Sequence, residues 1–237
     1  MNPSLEPAEM VDSDHPEVVA FAQAHAQGAD DRERAVALYY AVRDQLRYDP
    51  YRTSLTVQGM KASTALAQRA GWCVPKATAL AAVCRAAGIP ARLGYADVRN
   101  HLSTERMRRT MATDVFYWHG FTEILLDGVW VKATPAFNIE LCDRFGLLPL
   151  EFDGRADSIY HPFDRSGQRH MEYLAQRGSF DDVPLDQLLA DFHRHYPLWM
   201  AGMDEQRQAD FDAEVARETS TPATIPNPNT TSQEAAP

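Results

Sequence analysis

The sequence predicts an α+β fold in which a central helix, carrying a cysteine at its N-terminus, packs on an antiparallel sheet, with extra helices at both ends. Three observations predict it. Apolar residues recur at helical spacing at Val18, Val19, Phe21, Ala22 and Ala26, and again at Ala35, Val36, Leu38, Tyr39, Val42 and Leu46. The apolar segment Cys73 to Ala87 places Ala77, Leu80, Ala81, Cys84 and Ala87 on one buried face and runs into Gly88, a helix stop. Two apolar runs flank Asp127-Gly128, a dipeptide that suits a type I′ hairpin turn because both of its positions need positive φ.

In chain order, Asp30 is placed to cap the second helix. Turn formers from Tyr48 to Met60 indicate a loop leading to a short helix near Ser63 to Arg69, which Gly71 breaks. After the central helix, Ala91 to Val98 reads as strand, Arg99 to Thr113 is polar and Arg-rich, and Asp114 to Leu126 is a long aromatic strand. Val129 to Thr134 is the returning strand. Pro135 to Gly178 reads as mixed loop and helix, Leu185 to Tyr196 and Asp204 to Arg217 as helices, and the Pro/Thr/Asn/Ala text after them as disorder. The expected organisation is an N-terminal helical segment over 1–47, a core over 48–140, a mixed and helical extension of the same domain over 141–217, and a disordered tail over 218–237.

A length of 237 residues with 45% hydrophobic content suits one domain with a real core. A net charge of -10 argues against nucleic acid as a partner, because phosphate binders neutralise phosphates with Lys and Arg. No apolar run approaches the roughly 18 to 20 residues that cross a bilayer, so no membrane partner is expected. The acidic first residues lack the basic start of an export signal. Three cysteines, odd in number and irregular in spacing, fit a reducing compartment better than a disulfide framework, and a cytoplasmic location is the expectation. No metal or other cofactor is called for. No Cys or His pair has zinc-like spacing, and His193 and His195 point to different faces of a helix and read as surface. Asp30-Asp31 and Asp181-Asp182 read as helix-start or loop charges, and the run Glu105 to Arg109 as a solvated helix face.

The chemistry concentrates at Cys73. A thiolate is favoured at a helix N-terminus, where unpaired N–H groups and the positive dipole end stabilise negative charge, and Pro75 belongs in a first helical turn. Cys84 lies eleven residues on, about 16 Å along the helix axis, too far for a bridge and a weak basis for redox sensing. Cys142 has no comparable setting. A base for the thiol is His119, in Tyr117-Trp118-His119-Gly120-Phe121 on the aromatic strand. His15, His25, His101, His161 and His170 fall in helices or loops where a solvated role is expected. If Asp127 and Gly128 are the turn residues, paired numbers sum to 255, so His119 opposes Ala136 and Thr134 lies diagonally on the same face. Thr134 is therefore a candidate to orient the imidazole, Asn138 a second, and Asp153 or Asp157 arriving from elsewhere a third. Trp72 is placed to flank the site on the substrate side.

Three segments together resemble the transglutaminase-like superfamily of papain-related cysteine enzymes, and within it the microbial stand-alone domains. They are Gly71-Trp72-Cys73 leading through Leu80 to Arg92, then His119-Gly120-Phe121-Thr122-Glu123, then Gly128-Val129-Trp130-Val131-Lys132-Ala133-Thr134-Pro135. The resemblance runs from Thr64 to about Phe137 and implies a papain/transglutaminase-like core. It implies Cys73 as nucleophile and His119 as general base, with Thr134 where the superfamily usually has the triad aspartate. The implied reaction is hydrolysis or acyl transfer on amide or peptide bonds through a thioester, with a peptide, protein or amide as substrate. The alternative it implies is a catalytically degenerate domain that serves as a binding module.

Overall fold

The computed structural model describes residues 2–100, 103–159, 165, 167 and 171–220. The chain opens with helices α1 (Pro16–His25) and α2 (Asp31–Gln45). Asp30 caps α2 by accepting from the Glu33 N–H, and His15 caps α1 through the Glu17 N–H. A two-residue strand β1 (Arg47–Tyr48) and a 3₁₀ turn at Pro50–Arg52 lead to the short helices α3 (Val57–Met60) and α4 (Ala62–Gln68). Strand β2 (Ala70–Gly71) pairs in parallel with β1 and delivers the chain to the central helix α5 (Cys73–Ala86).

Then follow β3 (Ala91–Asn100), α6 (Glu105–Met111), β4 (Val115–Leu126), β5 (Val129–Ala133) and α7 (Ile139–Phe145). The chain continues with β6 (Met171–Phe180), α8 (Leu185–His195), α9 (Pro197–Ala201), α10 (Met203–Gln206) and α11 (Phe211–Ser220). The larger sheet is antiparallel in the order β5-β4-β3-β6. Helix α5 packs on it, which is the α+β core expected from the sequence. The hairpin turn is also as expected. Asp127 and Gly128 have φ of 50° and 80°, and the register runs from Leu126 with Val129 to Thr122 with Ala133, each pair summing to 255.

Helix α5 differs from its expected one-sided burial, because every residue from Cys73 to Arg85 is buried. Helices α1, α2 and α4 cover the side that the sheet leaves open, so the helix is enclosed all round. Its two charged side chains are consumed as backbone clamps. Arg85 donates to the carbonyls of Ala91, Glu6 and Asp181, and Lys76 Nζ donates to those of Arg43 and Leu46 at the C-terminal end of α2. Close approach sets two glycines in the sheet. A Cβ at Gly94 would overlap the Phe121 ring, and one at Gly120 would come within 3.1 Å of Val74 Cα on α5.

Three expectations need correction. The stretch expected as mixed loop and helix contains β6, which lies at the sheet edge, is largely exposed and meets β3 through two register shifts. Its residues lack the alternation of a half-buried strand for that reason. The helix expected over 204–217 is two helices, because the Asp210 side chain accepts from the Ala213 N–H and starts α11 anew. The Arg-rich run is only partly a solvated face, since Arg106 and Arg108 on α6 pair with Glu214 and Glu218 on α11. Helix α11 extends three residues into the segment expected as tail, and 221–237 lie outside the described residues, as do His101, His161 and His170. No described helix is long and apolar enough to cross a membrane, and no metal-ligand cluster occurs among the described residues.

Candidate active site

Trp72 caps α5 without a side-chain hydrogen bond, and the first intrahelical bond runs from the Lys76 N–H to Trp72 O. Because Pro75 has no N–H, the amides left over at the helix start are those of Cys73 and Val74. Both favour negative charge on the Cys73 sulfur, and the Gly120 amide of β4 favours it more strongly than either. Burial outweighs all three. Cys73 is 6% exposed, and its thiol is pushed up to about 11, so the cysteine rests as a thiol, not as the thiolate that a helix start alone would favour. Burial likewise pushes the Cys84 and Cys142 thiols up, to about 12 and about 11, and all three cysteines are free.

His119 follows a break in the sheet. Between the pairs Ala96 with His119 and Val98 with Phe116, two residues of β4 oppose the single residue Asp97, and Trp118 takes a φ of 61°. A non-glycine residue in that region is strained, and a charged cluster holds it there. The Trp118 N–H donates to Asp97 Oδ1 at 3.2 Å and its indole N–H to Asp191 Oδ2 at 2.9 Å. Arg177 bridges the two carboxylates, donating through Nε and Nη2 to Asp97 at 2.8 Å each and through Nη1 to Asp191. The imidazole this bulge delivers is 6% exposed, and burial pulls it down to about 4, so it rests neutral. Its Nε2 is buried without a hydrogen-bond partner, as is the indole Nε1 of Trp72. No hydrogen bond joins the thiol to the imidazole among the described residues; such bonds are often long in a free enzyme and tighten around the substrate.

The candidates to orient His119 have other partners. The Thr134 hydroxyl donates to Ile159 O at 3.0 Å, and Asn138 Oδ1 accepts from the Tyr48 N–H at 3.1 Å. Strand β5 ends at Ala133, so the pairing that would set Ala136 opposite His119 is not formed. Asp153 accepts from the amides of Arg155 and Ala156, and Asp157 from that of Lys132. A Thr134→Val variant is therefore expected to lose about 1 kcal/mol in urea unfolding and to leave alkylation of Cys73 within about twofold of wild type. A much larger fall in alkylation would mean that Thr134 does reach the imidazole.

Cys73, His119 and Trp72 line one cavity of about 50 Å³. The segments 48–60 and 99–113 supply Tyr48, Pro50, Thr53, Met107 and Met111, and β4 adds Phe116 and Tyr117. The remaining wall was not legible as a site in the sequence. It comes from the C-terminal helices through Phe192, Tyr196 and Trp199, of which only the apolar faces of α8 and α9 gave a sign. Tyr196 ties this cover to the sheet, accepting from the Tyr117 N–H at 2.6 Å and donating to Val115 O at 2.8 Å. His195, expected at the surface, is half-buried with its ring stacked on Tyr117 at 3.8 Å, whereas His193 is exposed.

No curated protein matches the chain. A solved structure described as a putative cysteine protease from Cytophaga hutchinsonii is similar at 18% identity and a TM-score of 0.43, over 75% of this chain and 53% of that one. This chain thus spans about half the length of that protein. Residues 19–135 match the family model of the transglutaminase-like superfamily. That match takes in α5 with Cys73, β4 with His119, and β5 with Thr134 just after it, and through it the chain belongs to the transglutaminase-like superfamily.

Proposed function

We propose that the protein is a cysteine-dependent acyl-transfer enzyme that attacks a carboxamide or peptide-type carbonyl with Cys73 and uses His119 as the proton carrier. The observation that carries this reading is that the Cys73 thiol and the His119 ring wall the same cavity, at a helix start whose free amides converge on the sulfur. The pair starts neutral. The thiol proton passes to the imidazole as the sulfur–carbon bond forms, and the amides of Cys73, Val74 and Gly120 favour the negative charge that this creates. His119 then returns the proton to the departing nitrogen as the carbon–nitrogen bond breaks, leaving a thioester on Cys73. Water or a second amine resolves it, with His119 taking the incoming proton.

Incubation with p-nitrophenyl acetate tests this. An acetyl mass is expected on the peptide carrying Cys73, released by hydroxylamine and absent from a Cys73→Ala variant. Release of p-nitrophenol without any acetylated Cys73 would overturn the reading. A second reading, a degenerate domain that binds without turning over, is favoured by one observation: among the described residues no carboxylate bonds to His119, and its Nε2 has no partner. Incorporation of a primary amine into a glutamine substrate separates a crosslinker from a hydrolase.

A further inference from the structure

Among the described residues, the wall of the Cys73 cavity carries no charged side chain. Outside Cys73 and His119 its character is set by Trp72, Met107, Met111, Phe116, Phe192 and Trp199. A charged group entering it would give up its hydration and meet no counter-ion, which is among the most costly transfers a protein can impose. The space is also small. Its volume of about 50 Å³ is well below the ~150 Å³ of a cavity that accepts benzene. The aromatic part of the wall is a packed cluster, with ring centroids 5.9 Å apart for Trp72 and Phe192, 5.9 Å for Phe192 and Trp199, and 5.1 Å for Phe192 and Tyr196.

We infer that the group transferred to Cys73 is a short, uncharged, apolar acyl group, with the leaving group held outside the cavity. This rests on the acyl-transfer reading above and narrows its substrate from peptides at large to amides or esters of small acids. In the step, Cys73 Sγ bonds to the carbonyl carbon, the bond from that carbon to the leaving nitrogen or oxygen breaks, and the thiol proton moves through His119 to the leaving group or to solvent. A long acyl chain or a peptide would need the α8–α9 cover to move, against the two hydrogen bonds that Tyr196 makes to β4.

The test compares p-nitrophenyl esters of acetate, butyrate, octanoate, succinate as its monoanion, and 4-(trimethylammonio)butyrate, reading p-nitrophenolate release and acyl mass on Cys73. Each rate is divided by the rate of the same ester with free cysteine. Acetyl and butyryl transfer are expected to exceed transfer of octanoyl and of both charged groups by about tenfold or more. The cationic ester matters because the net charge of -10 would by itself disfavour only the anion. Equal normalised rates across the series, or preference for a charged or long acyl group, would overturn the inference while Cys73 acylation stood. A separate assay with iodoacetamide reports on the underlying reading: if Cys73 is not alkylated in a His119-dependent way and no ester acylates it, both fall together. A Trp199→Ala variant, which widens the cavity, is expected to raise octanoyl relative to butyryl transfer by about tenfold. Should that variant fail to fold, the wild-type ester series by itself still decides for or against a short, uncharged acyl group.

Discussion

Replacing His119 with glutamine is expected to slow alkylation of Cys73 by iodoacetamide near neutral pH by about a hundredfold, within the range that a positioned proton acceptor contributes. The expectation follows from the burial of both partners. With the thiol pushed up to about 11 and the imidazole pulled down to about 4, neither group is charged at neutral pH, and the sulfur becomes nucleophilic only if its proton is taken during attack. Wild-type alkylation should therefore rise as pH climbs through about 4, where His119 becomes available as a base, and then stay level to about pH 9, where the directly ionised thiol takes over. The variant has no internal base, so its rate should climb about tenfold per pH unit across the same range, tracking the small thiolate fraction. Glutamine keeps much of the imidazole's volume, and a circular dichroism spectrum checks that the fold is intact. Matching profiles for wild type and variant, each rising tenfold per unit from pH 6 to 10, would show that His119 does not act on the thiol, and the binding reading would replace the catalytic one.

Much of this site was legible in the residues themselves. A cysteine before a buried helix, a histidine on an aromatic strand and an Asp-Gly turn are local signals, and each lies where the pattern places it. What the sequence cannot express is depth. A helix start favours a thiolate in any chain, but whether burial cancels that preference depends on what covers it, and the cover here comes from Phe192, Tyr196 and Trp199, more than a hundred residues away. The orienting group was obscure for a related reason. The register that brings Thr134 toward His119 holds only to Ala133, and beyond it Thr134 bonds to Ile159 in a segment with no periodic pattern. The bulge at Trp118 is similarly non-local, held by an aspartate on β3, an arginine on β6 and an aspartate on α8. Strand β6 itself was hidden because an exposed edge strand needs no alternation.

Lys76 is where that hidden depth should show in stability. A Lys76→Met variant is expected to lose stability relative to wild type increasingly as pH rises from about 7 to about 10, and to differ from it by a constant amount below that window. Lys76 is fully buried, and burial pulls its ammonium from 10.5 down to about 7. Between those two values the unfolded chain binds a proton that the folded protein does not, so raising the pH favours the folded protein by up to 1.36 kcal/mol per unit. Methionine has no such titration. The difference between the two proteins, measured by urea unfolding at each pH, cancels every other titrating group and isolates this one. Between pH 7 and 10 it should reach about 3.5 kcal/mol, and between pH 7 and 9 about 2 kcal/mol. The direction is opposite to that of a surface lysine in an ion pair, which loses its contribution as pH rises. At every pH the variant also leaves the carbonyls of Arg43 and Leu46 short of a donor, at about 1 to 3 kcal/mol for a buried group. Those carbonyls close the end of α2 just before β1 carries Tyr48 to the cavity, so loss of the clamp should loosen one wall of the site as well as the fold. Parallel unfolding curves from pH 6 to 10 would mean that Lys76 keeps an ordinary ammonium, and that water reaches the interior of this helix pair.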